Sequence, residues 1–211
     1  MYLQRALDVQ AESPDGERRP ELAAAFDTLG GCLRALGRHK EALPHLLRAL
    51  DVYRMSLPAS HPCVSACHHS VGVTLTKLGE HDQALTNHEM ALEMRQSARS
   101  KVEDEGYGGG DAMIADSHNH VSGALLNLHR LDEALAHQHL ALAGYKAALG
   151  PDHLEVAVCL TGMSATLGDL GHHPLALETD LEALAILKQR LGPTHPDVGT
   201  CLSNIGMQAC T

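Results

Sequence analysis

The sequence predicts an all-α fold, an α-solenoid built as a right-handed superhelix of antiparallel helix pairs. Three observations carry this expectation. Aromatic residues make up only 2% of the chain, with one Phe and no Trp, so Ala and Leu supply most of the 44% apolar content. Those two residues favour helices, whereas strands draw on β-branched and aromatic side chains. Second, Leu36-Gly37, Leu78-Gly79, Leu128-His129 and Leu170-Gly171 recur at spacings of 42, 50 and 42. Third, two more anchors keep that register in every copy. One is Glu41-Ala42-Leu43, Gln83-Ala84-Leu85, Glu133-Ala134-Leu135 and Leu175-Ala176-Leu177; the other is Ala49-Leu50, Ala91-Leu92, Ala141-Leu142 and Ala183-Leu184. A fixed period of this length marks a repeat architecture.

The array is expected to run over 1–211 as one domain. It begins with a half-repeat at 1–19, where Ala6-Leu7 sits in the second-helix frame. Repeats follow at about 20–61, 62–110, 111–152 and 153–195, and a first helix at 196–211 forms a closing half-repeat. In the first full copy, one helix is predicted over about 21–36, stopped by Gly37, a C-cap residue type. The second is predicted over about 40–55, because Ala42, Leu43, Leu46, Leu47, Ala49 and Leu50 follow the spacing of a buried helical stripe. Gly30, Gly72, Ser122, Ser164 and Gly206 share one register position on the first helices, where small side chains let two helices approach closely.

The connections repeat as well. Leu57-Pro58-Ala59-Ser60-His61-Pro62 resembles Leu149-Gly150-Pro151-Asp152-His153 and Leu191-Gly192-Pro193-Thr194-His195-Pro196. Ser60, Asp152 and Thr194 are the expected N-caps of the helices that follow, and the adjoining His61, His153 and His195 are expected to serve loop and cap geometry. The extra 8 residues fall in an insertion, 99–110, whose charges and closing Gly108-Gly109-Gly110 read as a loop that extends the preceding helix before breaking it.

Composition excludes several function classes. The formal net charge of −10 disfavours nucleic acid or an anionic membrane surface as the main partner. No secretory signal and no membrane-spanning run is visible, so the expected location is the cytoplasm, with reduced thiols. Six Cys form no CxxC, and Cys67, Cys159 and Cys201 share one register position with Ser117, as small residues packed between helices would. The pairs His68-His69, His118-x-His120, His137-x-His139 and His172-His173 are one or two residues apart, and such neighbours do not share a helix face. No metal, no cofactor and no catalytic residues are therefore expected. Phosphate-loop, dinucleotide, HExxH and GxSxG motifs are all missing from the sequence.

The small-residue and Ala positions, Gly30, Ala42 and Ala49 among them, resemble the tetratricopeptide pattern. The 42-residue period and the Leu191–Val198 connection are similar to the longer repeats of kinesin light chains and nephrocystin-3-like proteins. His68 and His118 stand where that family places large side chains, and Phe26 keeps one.

The resemblance implies a superhelix whose concave groove is lined by first helices and binds a peptide or helix of a partner protein. It places Asp27 and Arg34 there from copy one, His69 and Thr76 from copy two, Asp116, Asn119 and Leu126 from copy three, and Thr161 and Asp169 from copy four. The implied role is a non-enzymatic interaction scaffold. A kinesin light chain-like cargo adaptor, or a regulatory repeat module of a larger NTPase or kinase, are the alternatives. Self-association through the unfinished terminal repeats stays open.

Overall fold

A residue in the left-handed conformation ends the first helix of each pair, and it sets the hairpins. Gly37, Gly79 and Gly171 take φ of 73°, 83° and 78°, and His129 takes 57° at the same register position. One residue further on, the chain turns back. The amides of Arg38, Glu80, Arg130 and His172 donate to the carbonyls of Leu33, Leu75, Leu125 and Leu167 at 2.8–3.0 Å. This is the six-to-one closure of a Schellman turn, repeated in four copies.

The computed structural model describes residues 20–102 and 110–209. The half-repeat expected over 1–19 and residues 103–109 of the insertion lie outside the described residues. The chain divides into two compact units, Met1–Asp104 and Glu105–Thr211. The first contains α1 (Pro20–Ala35), α2 (His39–Ser56), α3 (Pro62–Leu78) and α4 (His81–Val102). The second contains α5 (Gly110–Asn127), α6 (Leu131–Leu149), α7 (Leu154–Asp169), α8 (His173–Leu191) and α9 (Pro196–Ala209). All regular structure among the described residues is helical. Each helix packs on the next within its unit, so the pairs α1/α2, α3/α4, α5/α6 and α7/α8 are antiparallel hairpins, and α9 packs on α8. At 22 residues, α4 is longer than α2, and its last turn, from Arg99, belongs to the insertion.

Apolar stripes from both helices of each pair build the cores. Phe26, Leu46, Val64, Cys67 and Val71 are fully enclosed in the first unit, as are Val156, Ala157, Ala176, Ala183 and Cys201 in the second. The small-residue position has a steric cause. A Cβ on Gly30 would lie 2.6 Å from the Leu46 side chain, and one on Gly72 would lie 2.7 Å from the His88 ring. Ser122 and Ser164 are buried there in copies three and four, whereas Gly206 on α9 is exposed with nothing within 4 Å of such an atom.

The N-caps differ from expectation. Ser60, Asp152 and Thr194 do not cap. The imidazole one residue later does: Nδ1 of His61, His153 and His195 accepts the amides of Cys63, Glu155 and Asp197 at 3.2, 3.2 and 3.3 Å. Nδ1 is one bond further from the backbone than a hydroxyl, yet it reaches the same orphan amide when the residue is extended, as at His61 (ψ 136°) and His153 (ψ 149°).

Candidate functional site

In the first unit, the residues assigned to partner binding lie half-buried on first helices, Asp27 and Arg34 on α1 and His69 and Thr76 on α3. Arg34 Nη1 donates to the Ser70 carbonyl at 3.4 Å, which ties one pair to the next. Burial pushes the Asp27 carboxyl above its ordinary range, and the Arg34 charge opposes that shift. The His69 ring stands edge-on to His88, with centroids 5.7 Å apart. Thr76 Oγ1 donates to Gly72 of its own helix at 3.0 Å.

The second unit presents Asp116, Asn119, Leu126 and Thr161, also half-buried, and Asp169, which is exposed. Asp116 is already engaged, since its Oδ1 accepts from the Tyr145 hydroxyl at 2.6 Å. Thr161 Oγ1 donates to Ala157 at 2.9 Å. Asp169 stands one residue past the register: Arg34, Thr76 and Leu126 correspond to Gly168, because 126 plus 42 is 168. Asp116, Thr76 and Thr161 are each hydrogen-bonded within the chain.

Beneath these faces runs a layer that sequence reasoning missed. In three hairpins a first-helix residue meets the residue 19 positions later, as Phe26/His45, His68/Asn87 and His118/His137, and Leu160 and Thr179 hold the same positions in the fourth. Phe26 stacks on His45 with centroids 6.1 Å apart, and the Arg48 guanidinium lies 5.0 Å from the Phe26 ring centre. His68 Nδ1 donates to Asn87 Oδ1 at 2.9 Å while Arg54 Nη2 donates to its Nε2 at 3.1 Å, so the partners select the Nδ1–H tautomer. His118 and His137 meet through their Nδ1 atoms at 3.0 Å. Burial lowers the His118 pKa to about 4, with the neighbouring His137 adding to the shift. The signal was the shared spacing of 19, visible only once the two helices are laid side by side.

The residue 16 positions after the small one changes in parallel, from Leu46 to His88, Gln138 and Asp180. Gln138 Nε2 donates to Thr166 Oγ1 at 2.9 Å. The shared Cys position has its own contact. The thiols of Cys67, Cys159 and Cys201 lie 3.4, 3.6 and 3.3 Å from the carbonyls of Leu46, Gln138 and Asp180 on the preceding helix. Burial pushes the Cys67 thiol up to about 12 and the Cys159 thiol up to about 11, so both hold their protons and work as packing groups. Among the described residues, no group of three or more His, Cys, Asp or Glu is placed to hold a metal ion. No described helix is long and apolar enough to cross a membrane.

The tetratricopeptide repeat family model matches residues 1–55, 21–97 and 113–189. Among solved structures, the nearly identical TPR-like repeats of a Podosopora anserina protein described as a kinesin light chain are similar, with a TM-score of 0.74 at 16% identity over 90% of this chain and 86% of that one. BtubC (BKLC) from P. vanneervenii gives 0.72 at 18% identity over 99% and 83%. Aspartyl phosphate phosphatase F from Bacillus subtilis gives 0.70 at 14% identity over 98% of this chain and 48% of that one. At these identities the likeness concerns the fold. No curated protein sequence is significantly similar to the chain.

Proposed function

Because the chain belongs to the tetratricopeptide repeat family, we propose that it is a protein-interaction scaffold that holds a peptide or helix of a partner against its first-helix faces. The observation that carries this reading is that each unit sets half-buried polar side chains at one register position, Asp27 and His69 in the first and Asn119 in the second, above cores that are closed. Such positions are dry enough to strengthen a hydrogen bond and open enough to receive one. The role needs neither catalysis nor a cofactor, and it suits a cytoplasmic protein. An extended peptide fits better than a terminal carboxylate, since Arg34 is the one basic residue at the assigned positions.

The test is affinity purification of partners with the full chain, followed by repetition with Asp27→Ala and Asn119→Ala. Both substitutions should weaken capture by at least tenfold while the helical circular dichroism stays intact. Undiminished capture by both variants would remove the first-helix faces from the reading. A cargo-adaptor role of the kinesin light chain kind is the second reading, favoured by the similarity to a structure so described. Partner lists dominated by motor heavy chains would support it.

A further inference from the structure

Only copy three places two imidazoles at the layer position; the other copies have Phe26/His45, His68/Asn87 and Leu160/Thr179. We propose that His118 and His137 form a binding site for one first-row divalent cation of the Zn2+, Ni2+ or Cu2+ class. The geometry suits that ion. Imidazole nitrogens bind such ions at about 2.0–2.1 Å, so two of them in cis or tetrahedral arrangement stand about 2.9–3.4 Å apart. The Nδ1 atoms of His118 and His137 are 3.0 Å apart, with the rings tilted by 47°. The pair therefore already has the separation that a shared ion needs.

The surroundings define an open site. His118 is buried and His137 half-buried, so access is from the His137 side. Glu133 lies one turn before His137 on α6 and responds to that imidazole, which makes it a candidate third donor. It is now paired with Arg130 at 2.6 Å, but both side chains are about half exposed, and an exposed pair of this kind is readily exchanged. Water completes the coordination, since no closed set of three donors exists among the described residues. With both rings neutral, one Nδ1–H donates to the other Nδ1. On binding the ion, the donor ring moves its proton to Nε2, so no proton is gained or lost.

Titration calorimetry of the full chain with ZnCl2 and with NiCl2 tests this. One site should exceed the affinity of isolated surface histidines, and Zn2+ should raise the melting temperature. His137→Thr and His118→Leu, which install the residues of copy four, should each weaken that site by at least tenfold and abolish the thermal shift. His139→Ala, on the same helix but exposed, should leave it unchanged. If His118→Leu fails to fold, the half-buried His137→Thr and the His139→Ala control decide the matter. No site above surface-histidine affinity, a His137→Thr variant that binds as well as the parent, or loss on His139→Ala would each overturn the assignment.

Discussion

Asp180 of α8 faces Ser164 of α7 across a hairpin where copy one sets Leu46 against Gly30. Asp180 is fully enclosed, and neither of its carboxylate oxygens has a hydrogen-bond partner. Ser164 Oγ donates to the Ala176 carbonyl at 3.0 Å. Burial pushes the Asp180 carboxyl above its ordinary range, with the nearby Ser164 hydroxyl partly opposing.

A buried carboxylate without partners costs stability when ionised. The folded-state pKa is raised, so the folded state binds more protons than the unfolded one, and stability falls as pH rises above the ordinary carboxylate range. Asp180→Asn should therefore raise stability at pH 7 by roughly 1–3 kcal/mol. The advantage should shrink on acidification toward pH 4. Urea unfolding at both pH values checks this; an equal advantage at both would remove the charge as the cause.

His129 holds a left-handed φ of 57° where the other copies have Gly. A side chain with a Cβ is strained there by roughly 1–2 kcal/mol, part of which is offset by the greater freedom of Gly in the unfolded chain. His129→Gly should stabilise the second unit by about 1 kcal/mol. The reverse change, Gly79→His, should destabilise the first by a similar amount. Both read out in thermal melts.

His68 is buried and neutral, with Arg54 donating to its Nε2. Burial lowers its pKa, the Asn87 hydrogen bond opposes that shift, and the Arg54 charge reinforces it. The unfolded state thus takes up a proton that the folded state refuses, and stability should drop as pH falls below the ordinary imidazole range. His68→Phe, the residue of copy one, should flatten that drop between pH 7 and pH 5. Denaturant midpoints at the two pH values measure it. A parental slope in the variant would point to other groups.

His153 caps α7 through Nδ1. His153→Ala should cost about 1 kcal/mol, whereas His153→Asn, which keeps an acceptor at that distance, should cost a few tenths. Hydrogen exchange at the Glu155 amide should accelerate in the Ala variant alone.

The repeat register was legible in the sequence because it rests on local chemistry. Leu36-Gly37 and Ala42 announce a helix end and a helix seam without reference to anything distant, and the helices found, Pro20–Ala35 and His39–Ser56, lie within a residue of those expected over about 21–36 and 40–55. The caps were less legible. Ser60 and Asp152 have the usual capping chemistry, and only the extended backbone at His61 and His153 hands the role to a ring nitrogen.

What the sequence determined by itself was the helix pairs, their period of 42 and the small residues at Gly30, Gly72, Ser122 and Ser164. The helix pairs and small residues follow from local propensity and spacing, and the period from the recurrence of the same anchors in successive copies. Tertiary structure decided the pairings 19 and 16 positions apart: His68 with Asn87, His118 with His137, and Ser164 with Asp180. A histidine's spacing along one helix says which face it occupies. Whether it meets an amide, a second imidazole or a phenyl ring depends on the facing helix, and that contact sets its proton and its partner.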